Sequence, residues 1–273
     1  MDAVDGYQLG SKPAELERLT LQGRALGPAT RTLLRAAGVR TGMRVLDLGS
    51  GAGDVSFLAA ELVGPSGEVI GIEQSPDAVA LATARARQLG VGNVRFIEGD
   101  IHEPAPGGPF DAIVGRMVLM YTPDPAAVLR AQAERLRPGG VVAPVETDLT
   151  TTAGPRPATP LASQVVSWAA AGFEGTDVAH SLGRELWQVL RKAGLRPLGM
   201  MGVHPMFGPG DPDGPALFAG LLRTMLPLLE RLGVATAAEV GPDTLEARLA
   251  EELAAADAVI AHPELLCAWG TKD

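Results

Sequence analysis

The chain has 273 residues, a formal net charge of −9 and a single cysteine, Cys267. That length suffices for one large domain with a sizeable core, and the acidic balance argues against an electropositive track for a nucleic-acid backbone. One thiol excludes an internal disulfide framework, the opening MDAVDGYQLG lacks a signal-peptide pattern, and no apolar run reaches about 18 residues, so a cytoplasmic protein without a membrane span is expected.

From residue 43 strand and helix signals alternate. The apolar runs RVLDLG (44–49), EVIGIE (68–73), VRFIEG (94–99), DAIVG (111–115) and GVVAPVE (140–146) read as strands buried on both faces. Helical stretches lie between them over about 54–63, 76–89 and 124–136. Pro76 opens the second helix and Gly90 follows it, while Pro138 to Gly140 stop the third. Such an order implies a doubly wound, parallel α/β sheet.

Beyond residue 150 the rhythm changes. TTAGPRPATP (151–160) reads as a loop, and the segment to about 180 is indistinct. SLGRELWQVLRKAGL follows as a helix with Ser181 as its cap and Gly194 as its stop, and RPLGMMGVHP as a sixth strand. GPALFAGLLRTMLPLLERLGV and GPDTLEARLAEELAAADAVI form a largely helical insertion before a last strand, ELLCAWGTK. Pro227 should kink or end the first of those helices.

Gly49, Gly51 and Gly53 sit where ligands gather, beyond the carboxyl end of the first strand. Their spacing is poor for a dinucleotide fingerprint, because Ser56 falls at the third glycine position. Asp54 adds a carboxylate that opposes a pyrophosphate at the helix start. Glu73 closes the second strand, placed to accept hydrogen bonds from both ribose hydroxyls. Asp100 closes the third, placed to accept from an adenine amine while Ile101 packs on the ring.

VLDLGSGAGD, GIEQSP, EGDIHE and FDAIVGRMVLMYTPDPAAVLRAQAERLRPGG resemble class I S-adenosylmethionine-dependent methyltransferases, especially small bacterial ones of the UbiE/methyltransferase-11 type. The resemblance covers about residues 1–148 and the final helix–strand–strand order. It implies a Rossmann-like sheet of seven strands with the last antiparallel, an N-terminal helix, and a helical cap inserted before the last strand. The implied layout is N-terminal cap helices over 1–40, a cofactor-binding core over 41–203, a substrate lid over 204–260 and a completing strand over 261–273. By the same resemblance Asp47 and the Gly49–Gly53 turn approach the methionyl part of S-adenosylmethionine, and Gln74 flanks the ribose. Gly115 offers its carbonyl to the ammonium, and Arg116 meets the carboxylate. In YQLGSKPAELERLTLQGRAL, Arg18 and Gln22 share a helical face toward that carboxylate, and Tyr7 closes over the methyl group.

Transfer from a sulfonium needs water exclusion, alignment and, for a protonated acceptor, a base. Glu146, Asp148, Tyr121 and His204 are the candidates, with less support for His102, His180 and His262. No histidines and acids fall at metal-ligand spacing, so no metal is expected. Met117, Met120, Met201, Phe207 and Phe218, with Met200 and Met225, would line an apolar acceptor pocket. The leading expectation is methylation of a small molecule at oxygen, nitrogen or carbon, releasing S-adenosylhomocysteine. The alternative is a non-methylating binder of the same cofactor, such as a pericyclase or sensor; nucleic-acid methylation and NAD-dependent oxidoreduction are further readings.

Overall fold

The computed structural model describes residues 13–272, with side chains described from Leu19 onward. Its parallel strands are β1 (Arg44–Leu48), β2 (Glu68–Glu73), β3 (Val94–Glu98), β4 (Phe110–Arg116) and β5 (Leu136–Asp148). Two more, β6 (Arg196–Val203) and β9 (Glu264–Thr271), complete a seven-stranded sheet of order β3-β2-β1-β4-β5-β9-β6, in which β9 is antiparallel to both neighbours. A separate antiparallel ribbon joins β7 (Met206–Phe207) to β8 (Ile260–Ala261).

Period-two alternation decides what each face buries. Val45, Val69 and Val114 pack on one side with α1 (Pro13–Ala36) and α2 (Asp54–Val63), while α3 (Pro76–Leu89) lies along β2 and β3. Leu46, Ile70 and Ile113 pack on the other with α4 (Pro125–Ala133) and α6 (Leu182–Lys192). The cap consists of α5 (Pro160–Glu174), α7 (Asp213–Arg231), the short α8 (Ala237–Val240) and α9 (Leu245–Ala255). Its buried residues Val165, Phe218, Leu229 and Leu249 join the same core as Val45 and Val114.

Several elements differ from the sequence expectations. The indistinct segment after residue 150 holds α5, whose Ala162, Val165, Val166 and Trp168 are buried. Strand β5 starts at Leu136, ahead of the RPGG stop, because Leu136 pairs with Phe110 across an irregular register. Helix α7 runs on through Pro227 rather than ending there. Pro227 is exposed, so the carbonyl that loses its amide partner lies on the solvent side. The second half of the insertion splits at Gly241, which takes a left-handed conformation with φ 59° after α8. No helix among the described residues is long and apolar enough to cross a membrane.

Candidate cofactor and acceptor site

The glycine turn after β1 is held by contacts that a side chain would break. Gly49, Gly51 and Gly53 have φ of 58°, 51° and 91°, a region that disfavours residues with a Cβ. A Cβ on Gly49 would fall 2.4 Å from the Val118 methyl, and one on Gly53 2.8 Å from the Phe96 ring. The turn is tied to β2 through Glu73. Its Oε2 accepts from the Gly51 amide at 3.0 Å, and its Oε1 accepts from the Ser75 amide at 3.0 Å. Leu19 of α1 reaches over Gly51, and Gly23 packs against Asp54, so the N-terminal helix roofs the turn.

Asp47 lies under the turn, fully buried, with Oδ2 accepting from the Ser56 hydroxyl at 2.6 Å and Oδ1 without a partner. Burial pushes its pKa up to about 7, against the Ser56 hydrogen bond and the Arg116 charge. Asp54 is paired with Arg85 at 2.9 Å, and Arg85 also lies over the Phe57 ring at 5.3 Å. The Asp54 charge is therefore neutralised locally. The repulsion it should exert on a phosphate is weaker than its position in the sequence implies.

Asp100 stands at the outer edge, its side chain 60 % exposed. Its Oδ1 accepts from the His102 amide at 2.9 Å and lies 2.7 Å from His102 Nδ1, and the amide bond first, then the ring, lowers its pKa. The loop carrying Asp100 and the half-buried Ile101 has no helix of its own. Gln132, buried in α4, anchors it: Nε2 donates to the Ile101 and Glu103 carbonyls at 2.6 and 2.7 Å, and Oε1 accepts from Ala105 at 3.1 Å. Gln74 is exposed, and Gly115 is buried against Leu48 and Val118.

At the end of β4, Met117 adopts φ 52° while its amide donates to Val145 at 2.8 Å. Glu146 explains how that bend is held. Its Oε1 accepts from Val118 at 3.1 Å and Leu119 at 2.8 Å, and Oε2 is buried without a partner. Burial raises its pKa to about 8 against those amide bonds. Arg116 turns toward α1 and donates to the Thr30 hydroxyl at 2.9 Å; it feels the charges of Asp54 and Asp47 but forms an ion pair with no carboxylate among the described residues. Gln22 reaches the Met117 sulfur at 3.9 Å. Tyr7 lies outside the described residues, and the Arg18 side chain likewise.

The remaining candidates are scattered. Asp148 caps the turn after β5, accepting from Thr150, and is ion-paired with Arg184. Tyr121 is half-buried at the end of the turn that follows β4, and His204 is half-buried with its Nε2 sealed from solvent and partnerless. Met117 borders both cores, whereas Met120, Phe207 and Phe218 are packed inside them and Met201 is 37 % exposed on the edge strand β6. Met225 closes against Gly172, and Met200 is half-buried.

The family model for a methyltransferase domain matches residues 40–193, more than half of the chain. The chain belongs to the class I S-adenosylmethionine-dependent methyltransferase family. Nocamycin O-methyltransferase of Saccharothrix syringae is 41 % identical over 114 residues, 41 % of each chain. Demethylmenaquinone methyltransferase of Lactococcus lactis subsp. lactis is 36 % identical over 115 residues, 42 % of this chain and 46 % of that one. The chain thus spans less than half the length of these relatives. A solved structure of geranyl diphosphate methyltransferase in complex with SAM shares the fold at TM-score 0.55 and 21 % identity, covering 100 % of this chain and 97 % of that one.

The methyltransferase cofactor S-adenosylmethionine suits the residues present. The orphaned Asp47 Oδ1 and the Arg116 guanidinium, which has no ion-pair partner among the described residues, are groups that an amino-acid moiety can satisfy, and the positive φ of Gly49, Gly51 and Gly53 leaves the turn open to its close approach. Sequence reasoning missed Gln132, Arg85 and Thr30. Each acts through a contact between elements distant in the chain, and no local pattern marks them.

Proposed function

We propose that this chain methylates an oxygen, nitrogen or carbon atom of a small, largely apolar molecule. The observation that supports the reading is the joint between the glycine turn and Glu73, which sets a carboxylate with lone pairs to spare beside the backbone turn at the carboxyl end of β1. When bound, S-adenosylmethionine supplies a sulfonium methyl group open to in-line displacement. Glu73 holds the ribose with its remaining lone pairs, and Asp100 with Ile101 frames the base. The Gly49–Gly53 turn and Asp47 face the methionyl chain, with Gly115 at its ammonium and Arg116 and Gln22 at its carboxylate. Gln74 flanks the ribose.

Glu146 serves this reaction by positioning: its two amide bonds fix the Met117–Leu119 bend over the turn. His204 and Tyr121 stand as the groups that handle an acceptor proton. The lid is drawn from 204–260, with α5 added to it; of the apolar candidates only Met117 borders both cores beside the glycine turn, while Met120 packs on the opposite sheet face from Phe207 and Phe218, and Met201 lies on the edge strand. Closure of that lid over the turn would exclude water from the reacting atoms and strengthen the charge interactions inside. A cytoplasmic setting is part of the proposal, as is the absence of a nucleic-acid partner.

Incubation with S-adenosylmethionine and a panel of small acceptors should yield S-adenosylhomocysteine above the background of the cofactor alone. Thermal stabilisation by NAD and not by S-adenosylhomocysteine would overturn the proposal.

A further inference from the structure

One face of α1 lies along the glycine turn. Leu19, Gln22 and Gly23, spaced three and four apart, share that face. Leu19 comes over Gly51, Gln22 reaches the Met117 sulfur at 3.9 Å, and Gly23 rests on the Asp54 side chain. The last contact is the tightest: a Cβ on Gly23 would fall 2.2 Å from Asp54 Cγ and 2.5 Å from Oδ1. The helix therefore sits this low only while the Asp54 carboxylate keeps its place.

Arg85 fixes that place from α3. Its Nη2 donates to Asp54 Oδ1 at 2.9 Å, and its Nη1 to Oδ2 at 3.3 Å. Nη1 also donates to the carbonyl of Ala52, the residue between Gly51 and Gly53. The guanidinium carbon lies 5.3 Å from the centre of the Phe57 ring, and the tips of Phe57 and Phe96 close on Gly53. Only 19 % of the Arg85 side chain and 16 % of that of Asp54 are exposed, so solvent screens the pair less than a surface ion pair. A planar fork can hold a carboxylate and a carbonyl in one geometry, whereas the flexible stem of a lysine cannot.

We propose that Arg85 is a positioning residue for S-adenosylmethionine: by holding Asp54 and the Ala52 carbonyl it seats α1 on the glycine turn, and that seat sets how tightly the cofactor is kept. This rests on the reading of the turn as the cofactor site. Arg85 acts through Asp54 and α1, not through its charge. A role by charge has a different signature. Unmasking the Asp54 carboxylate would then favour the sulfonium of S-adenosylmethionine over the neutral thioether of S-adenosylhomocysteine.

The test is calorimetric titration of both ligands at a temperature where circular dichroism shows each variant folded. In Arg85→Gln the affinities for the two should fall equally, by about tenfold, since charge-assisted hydrogen bonds are lost. Arg85→Lys should not recover them. Gly23→Ala, which lifts α1 from Asp54, should weaken binding as well, and the double variant with Arg85→Gln should be no weaker than the weaker single one. Val189→Ala, which opens a cavity beneath α6 on the opposite sheet face, should lower stability yet leave both affinities as in the wild type. Unchanged affinity in Arg85→Gln or Gly23→Ala, a loss confined to S-adenosylhomocysteine, full recovery in Arg85→Lys, additive losses in the double variant, or an equal loss in Val189→Ala overturns the proposal and leaves the turn as the cofactor site. Failure of the wild type to bind either ligand overturns both. If Arg85→Gln does not fold, Arg85→Lys, for which the same fall is expected, carries the comparison.

Discussion

Each oxygen of Glu73 accepts a backbone amide and still has a lone pair for a ligand. On the proposed reading Glu73→Ala should therefore loosen the turn as well as remove ribose contacts. Its S-adenosylhomocysteine affinity should fall by about 1–3 kcal/mol, roughly five- to 150-fold, in calorimetric titration. Glu146 invites a different test. Burial raises its folded pKa to about 8, above the 4.5 of a free glutamate, so the folded chain prefers the protonated form. The stability it contributes is complete below about 4.5 and is lost as pH rises through 8. Asp47, raised to about 7, adds a slope of the same sign at slightly lower pH. In Glu146→Gln the Gln carbonyl oxygen can still accept from Val118 and Leu119, so melting temperature should decline less between pH 5 and 8 than in the wild type, leaving the Asp47 slope. An unchanged slope would show that Glu146 does not titrate in that window.

At the level of elements, what was legible in the sequence is what alternation and punctuation encode. Runs such as RVLDLG and EVIGIE became β1 and β2 because every second residue is apolar on each face, and Pro76 and Gly90 bound α3 as their backbone preferences require. Helix α5 escaped because its alanines and glycine leave no marked polar face; tertiary packing against α7 and α9 selects it. The loop after β3 was legible as the place of Asp100, but not as a loop braced by Gln132, since that glutamine is 31 residues away from Ile101. Gln132→Met removes all three of those bonds while keeping the side chain's length. It should cost about 1–3 kcal/mol in chemical denaturation, with the freed carbonyls turning toward water. Helix α7 offers the opposite sign: Pro227→Ala restores an amide within a helix that already runs through the site, so stability should rise by about 1–3 kcal/mol.

Across the whole molecule, the helices α5, α7, α8 and α9, inserted after β5 and β7 and called the cap, share one packed core with the sheet on the α1 side. Leu229 of α7 and Trp168 of α5 belong to the cluster that includes Val45 of β1 and Val114 of β4, and Leu229 is 0 % exposed. An insertion that shares its interior with the sheet cannot melt cheaply by itself, because opening it exposes the sheet face as well. Leu229→Ala, which removes buried methyl groups, should destabilise the chain by about 2–5 kcal/mol. The loss should fall on cap and sheet together. Trp168 reports the cap and Trp269 the sheet strand β9, so single-tryptophan variants retaining one or the other can be followed through urea unfolding beside far-ultraviolet circular dichroism. Coincident midpoints, shifted equally by Leu229→Ala, are expected. A Trp168 transition at clearly lower urea than that of Trp269 would mean the cap opens as a separate unit, and access to the site would then be governed by its local unfolding.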